Sequence, residues 1–187
     1  MKTNNLKFTK MTLNGAYLIE PRILKDERGF FTEIYNKDIF RTNGVDDIFV
    51  QDNFSHSKNG VIRGLHYQIE PHNTAKLLRC VRGEIYDVIV DLRKSSPTFG
   101  KWEAVVLSDK NMNMIYVPKG FAHGFCVLSE EADVHYKVTD YYYPDLSKGL
   151  RWNDPDLKIK WPILDPIILS VNDSKWPFLK DCGYQFD

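Results

Sequence analysis

Residues 59 to 68 read NGVIRGLHYQ, a strand-like run that sets Arg63 and His66 three positions apart. Packing alone rarely asks a strand for a cation and an imidazole together. An imidazole such as His66 can take a proton from carbon when an adjacent ketone acidifies the C–H bond. That chemistry needs two further groups, a cation for the charge that develops on the enolate oxygen and an acid to return the proton. Lys76 is of the right type for the first and a tyrosine, such as Tyr136 or Tyr142, for the second. A tyrosine's pKa, about 10 in isolation, would be lowered by neighbouring cations. Arg63 and His66 differ by three, so a regular strand would point them to opposite faces, and a bulge at Gly64 is expected to bring both inward.

The elements that must hold these residues are strands. "GAYLIEPRI", "DIFVQDN", "GVIRGLHYQ", "KLLRCV", "EIYDVIVDL", "WEAVVLS", "MIYVP", "HGFCVLS" and "DVHYKVTDYYY" are short and rich in Val, Ile, Tyr and Phe. Turn residues such as "KNG", "SSPTFG", "SDKN" and "PKG" separate them. Only "KDIFRTNG" and the region after Asp154 suggest short helical turns. Evenly spaced strands without helical repeats predict an all-β sandwich or barrel. No linker or repeat divides the 187 residues, which read as one domain over 1–187. The Pro-rich stretch from Tyr141 onward reads as an irregular wrap over the barrel.

A second spacing bears on the barrel's type. "VPKGFAHGF" contains Pro118-x-Gly120-x-x-His123, the pattern of the second cupin motif. Counting on from Gly64, the positions of the first motif fall on Glu70, His72, Lys76 and Gly83. Lys76 stands where a metal-binding carboxylate belongs, and an ammonium there repels a divalent cation. The frame is cupin-like with its metal site dismantled, although Glu70, His72 and His123 leave a metal-dependent oxygenase or isomerase as a rival. In "VHYKVTDYYY", Tyr136 and Tyr142 share parity, so one strand would carry both into the barrel roughly 20 Å apart. That is the reach of an extended nucleotide sugar.

With these residues assembled, the chain resembles the dTDP-4-dehydrorhamnose 3,5-epimerase family. The resemblance runs nearly end to end through "DERGFFTE", "FVQDN", "GVIRGLHYQ", "KLLRCVRGEIYDVIVDLRKSSPTFG", "VPKGFAHGF", "YKVTDYYYP" and "WNDPDLKIKWP", in order. It implies a metal-free cupin jelly roll, usually dimeric, with no cofactor. His66 would be the base, oriented by Asp173 of "LSVND", with Tyr136 as proton donor on the opposite face and Lys76 at the sugar's C4 oxygen. His123, paired with Asp87, would line the sugar pocket. Arg28, Glu33, Gln51, Asp52, Asn53 and Arg63 match nucleotide-sugar contacts, Arg28 and Glu33 reaching in from a partner subunit. Tyr142 matches the aromatic that stacks on thymine. The chain departs from the pattern at Ser147, often Glu, and at Asn172, often Lys. These departures bear on affinity and nucleotide preference.

The implied reaction is inversion at C3 and C5 of a dTDP-linked 4-keto-6-deoxyhexose. Epimerases of other 4-keto nucleotide sugars, or of a single centre, share most of this set. Blander roles also exist: His123 as a satisfied core group, Asp87 as a strand residue paired to an arginine, "RGFF" and "YYYP" as packing aromatics. Lys+Arg and Asp+Glu balance at 25 each, against a nucleic-acid binder working by bulk charge. No Gly-rich dinucleotide loop is present. No apolar run approaches membrane-spanning length and no signal peptide opens the chain. Cys80, Cys126 and Cys182 lack C-x-x-C spacing. A reduced, soluble, cytoplasmic protein is expected.

Overall fold

The computed structural model describes residues 5–162, 165–183 and 186. Strands β1 (Leu6–Lys10) and β2 (Tyr17–Pro21) are followed by a small hairpin, β3 (Leu24–Asp26) and β4 (Gly29–Phe31). Helix α1 (Lys37–Thr42) leads into β5 (Gln51–Lys58), β6 (Ile62–Gln68), β7 (Lys76–Arg82) and β8 (Glu84–Asp91). Then come β9 (Trp102–Ser108), β10 (Met114–Val117), β11 (Phe121–Val127), β12 (Glu131–Val138) and the short β13 (Ser147–Gly149).

Two antiparallel sheets face one another, ordered β1-β2-β10-β7-β12-β5 and β13-β6-β11-β8-β9. From β5 to β8 the chain changes sheet at every step, and again from β9 to β12, the connectivity of a jelly roll. The all-β expectation is met. Alternation along each strand divides the side chains among three apolar layers. Leu78, Ile85, Ile89, Phe125 and Val134 pack between the sheets. Leu65, Tyr67, Val88, Val90 and Ala122 face outward from the five-stranded sheet and are covered by Leu150, Leu157 and Phe186 of the C-terminal wrap. Burial on both faces explains why β8 and β11 read as continuous apolar runs.

The third layer lies outside the six-stranded sheet, where Phe40 of α1 packs with Leu6, Ile19, Leu77, Met114 and Tyr116. The helix expected in "KDIFRTNG" begins where Asn36 Oδ1 accepts hydrogen bonds from the backbone N–H of Asp38 and Ile39, at 3.1 and 3.3 Å. Of the short helical turns expected after Asp154, the described residues hold the 3-10 turn Leu179–Asp181, and no α-helix starts at Asp154. Its Oδ1 accepts from the N–H groups of Asp156 and Leu157, a local turn, while Oδ2 accepts from Leu179 N at 2.6 Å. Asp154 thereby ties the wrap to itself instead of capping a helix. The short helical turns of this part are 3-10 turns at Pro144–Leu146 and Leu179–Asp181.

"VHYKVTDYYY" is not one strand. β12 ends at Val138, because Thr139 Oγ1 accepts from Ala75 N and Asp140 Oδ1 accepts from Tyr141 N, turning the chain away. Tyr142 therefore sits on a loop, and the parity expected between it and Tyr136 does not exist. Among the described residues no helix is long and apolar enough to cross a membrane.

Candidate active site

One end of the barrel is filled by the apolar layer; the other holds a cavity of about 510 Å³. Arg63, His66, Gln68 and His123 line it from the five-stranded sheet. Gln51, Asn53, Lys76, Leu78 and Tyr136 line it from the six-stranded sheet opposite. Tyr142, Ser147, Asn172, Asp173 and Trp176 form the rim.

The bulge expected in β6 is present. His66 pairs with His123 and Arg63 with Phe125, so two residues of β6 oppose one of β11. The extra residue restores parity, turning Arg63 and His66 inward and leaving Leu65 in the outer apolar layer. Only glycine serves at 64, where φ is +127° and a Cβ would lie 2.5 Å from Gly124 Cα. Arg63 is held by hydrogen bonds from Nε to Ser57 Oγ (2.8 Å) and from Nη2 to His56 O (3.0 Å).

His66 Nε2 lies 2.5 Å from Asp173 Oδ1, although 107 positions separate the two residues. With the N–H at Nε2 given to the carboxylate, Nδ1 carries the open lone pair. Burial alone would raise the Asp173 carboxyl; the hydrogen bonds and charge of His66, aided by Ser170 and Trp176, outweigh it and hold it below the usual range.

The neighbouring pair is His123 and Asp87, both buried, with Nε2 to Oδ2 at 2.8 Å. Burial lowers the His123 pKa against the opposing pull of Asp87. Asp87 Oδ1 has no hydrogen-bond partner. Across the cavity, Lys76 donates from Nζ to His66 O at 3.2 Å. Burial lowers its pKa to about 8, against the attraction of Asp87. Tyr136 behaves contrary to expectation. Arg63 does pull its pKa down, but burial dominates and raises it, so the phenol stays protonated at neutral pH.

Not all expected contacts meet at this cavity. Gln51 and Asn53 line it, but Asp52 lies between them in an extended strand and points outward, where it pairs with Lys137 at 2.7 Å. Alternation thus leaves Asp52 out of the cavity that Gln51 and Asn53 line. Arg28 pairs with Asp26 on its own exposed hairpin, and Glu33 Oε1 is buried without a hydrogen-bond partner; neither lines the cavity. Tyr142 reaches the rim from the loop after β12. Gln68 and Trp176 are among the lining residues that escaped the sequence reading. Gln68 shares the inward parity of His66, and Trp176 lies three residues after Asp173. Parity could have found Gln68; nothing local marks Trp176.

The rival metal set is scattered. His72 Nδ1 pairs with Asp140 Oδ2 at 2.8 Å, and Glu70 accepts from Asn73 at the surface. Among the described residues no group of three or more His, Cys, Asp or Glu side chains could hold a metal ion.

A jelly roll whose cleft sets a histidine–aspartate pair against a half-buried lysine and a protonated tyrosine is built as an acid–base isomerase. Residues 10–181 match the family described as dTDP-4-dehydrorhamnose 3,5-epimerase, and the chain belongs to that family. The curated relative of that name from Methanothermobacter thermautotrophicus is 49% identical over 177 residues, 94% of this chain and 95% of its own. The crystal structure of dTDP-4-dehydrorhamnose 3,5-epimerase from Elizabethkingia anophelis superposes with a TM-score of 0.92 at 46% identity, covering 96% of this chain and all of that one. A Legionella pneumophila epimerase, solved in complex with dTDP-4-keto-L-rhamnose, gives 0.90 at 44% identity over 94% and 93% of the two chains. The cupin-type jelly roll that the resemblance implied, on the cupin-like frame read from the Gly64 and Pro118 spacings, is the fold these enzymes share.

Proposed function

We propose that the protein inverts C3 and C5 of dTDP-4-dehydro-6-deoxy-D-glucose, giving dTDP-4-dehydro-L-rhamnose. The observation that carries this is the placement of His66 and Tyr136 on opposite walls of one cavity, with Lys76 beside them. The C4 ketone acidifies the C–H bonds on both sides of it. His66 Nδ1 takes the proton, and the electron pair moves onto the C4 oxygen, where the Lys76 ammonium faces it. Tyr136 then protonates the same carbon from the other face, which inverts the centre; the imidazolium gives its proton to solvent and the phenolate takes one back. Repeating the sequence at the second carbon uses the same groups.

Arg63, Gln51 and Asn53 are read as contacts to the nucleotide sugar, His123 as a wall of the sugar pocket, and Tyr142 as a stacking surface for the base. In D2O the protein is expected to place deuterium at both C3 and C5 of the substrate. Exchange at neither carbon refutes the assignment, and exchange at one alone identifies a single-centre epimerase.

The reading extends to a homodimer of single-domain chains in the cytoplasm. Phe30, Phe31 and Phe54 are exposed on the hairpin and on β5, and buried Glu33 Oε1 and Arg79 Nε lack hydrogen-bond partners. A second copy on this side would cover the aromatics and let Arg28 and Glu33 reach the partner's cavity. Light scattering is expected to give twice the 21.8 kDa chain mass, and a monomer at micromolar concentration refutes it. For the compartment, buried Cys80 and Cys126 are unpaired thiols, which suit a reducing environment.

A further inference from the structure

Asp173 does not sit on a strand. It lies in a chain of turns where Ser174 N donates to Ser170 O and Lys175 N to Asn172 O, and its own N–H donates to Ser170 Oγ at 3.0 Å. A carboxylate on such a loop needs something else to hold its angle toward β6. We propose that Trp176 is a positioning residue for the reaction, its indole locking Asp173 and so keeping the His66 imidazole aimed into the cleft. The inference rests on the acid–base reading of His66 given above.

Three contacts meet at this indole. Nε1–H donates to Asp173 Oδ1 at 3.1 Å, the same oxygen that lies 2.5 Å from His66 Nε2. Both partners therefore use one oxygen, and its direction is set between them. The indole also meets the His66 ring edge-on, with centroids 6.4 Å apart and planes at 75°. From behind, β13 presents Gly149, where a Cβ would fall 2.6 Å from the indole Cε2 and Nε1. The backbone is pinned as well: Arg151 Nε donates to Trp176 O and Arg151 N to Pro177 O, both at 2.9 Å. A tryptophan used only as filler would not need its one polar atom on the carboxylate of a catalytic pair.

The other groups around His66 cannot do this work. Lys76 of β7 reaches its backbone oxygen, not its ring. His123 of β11 is committed to Asp87, and Arg63 of β6 to Ser57 and His56. Tyr136 lies on the opposite wall. Among the described residues, Asp173 hydrogen-bonds the imidazole ring and Trp176 meets it edge-on.

Trp176→Phe keeps the ring and removes the N–H. We expect kcat and deuterium exchange to fall by about tenfold, the usual loss for one hydrogen bond to a charged group, with KM and dTDP affinity nearly unchanged. The acid limb of kcat/KM should move to higher pH, because a carboxylate relieved of one donor holds the imidazolium more strongly. Gly149→Ala keeps the N–H, but its Cβ would press on the indole at 2.6 Å and on the Leu65 carbonyl at 2.7 Å, and it should lower kcat as well. Wild-type kcat with an unmoved acid limb in Trp176→Phe overturns the proposal.

Should either variant fail to fold, the wild-type protein answers directly. With 15N-labelled tryptophan, the Trp176 indole N–H resonance is expected to titrate together with His66 and to lose that titration in Asp173→Asn. An indole signal indifferent to His66 also overturns the proposal. If wild-type protein shows no exchange at C3 or C5 while the indole titrates, the positioning stands and the epimerase reading fails.

Discussion

Two histidine–carboxylate pairs lie side by side in this barrel, on residues that are cross-strand neighbours, and they are built for different work. His66 opens onto the cavity with 41% of its side chain exposed, and its Asp173 belongs to a loop. His123 is 7% exposed and its Asp87 fully buried, both on strands of one sheet. The hydrogen-bond lengths are close, 2.5 and 2.8 Å, so geometry alone does not separate them. Surroundings do. The hydrogen bonds and charge of His66, with Ser170 and Trp176, keep Asp173 charged against its own burial, and His66 can exchange its proton with solvent. His123 resists protonation because burial penalises the cation, and Asp87 keeps one oxygen unpartnered near the Lys76 charge. Like pairs are told apart by access to water and by what else the carboxylate serves.

Cutting each pair in turn should give opposite signatures. His66→Ala is expected to lower kcat by roughly 10³-fold, the range for loss of a general base, while the melting temperature hardly moves. Activity within tenfold of wild type would remove His66 from its role. His123→Ala should instead leave a buried carboxylate without its partner and cost about 3–5 kcal/mol of stability, read by urea denaturation. An unchanged midpoint would show that Asp87 finds other compensation.

The gentlest cut is Asp87→Asn. Lys76 acts in its charged form, so activity is present below its pKa and lost above it, and the alkaline limb of kcat/KM is expected near pH 8. Asp87 raises that pKa against burial. Without its charge the limb should move to lower pH, and a shift to higher pH would disprove the coupling.

Much of this arrangement was legible in the chain. Strand spacing gave the barrel, and the three-residue offset between Arg63 and His66, with a glycine between, demanded the bulge that the β6–β11 register shows. What failed had physical causes. Side-chain hydrogen bonds of Thr139 and Asp140 ended β12 early, a competition that β-propensity does not reveal. Strand alternation turned Asp52 outward, although sequence adjacency placed it with Gln51 and Asn53. Burial decided the tyrosine, where a list of nearby cations gave the wrong direction. Trp176 was invisible because its use depends on a glycine in β13 and on the turns that bring Asp173 back to β6.

The remote origin of Asp173 has a consequence for how the molecule comes into being. The strands that carry His66, Lys76, His123 and Tyr136 all precede it in the chain. Because synthesis runs from the amino end, the barrel can collapse around its core while the segment bearing Asp173 and Trp176 is still inside the ribosome. A newborn barrel at that stage has a cavity, a lysine and a tyrosine, but an imidazole with nothing to hold it. Catalytic competence thus waits on a segment that lies 107 positions beyond the histidine it completes.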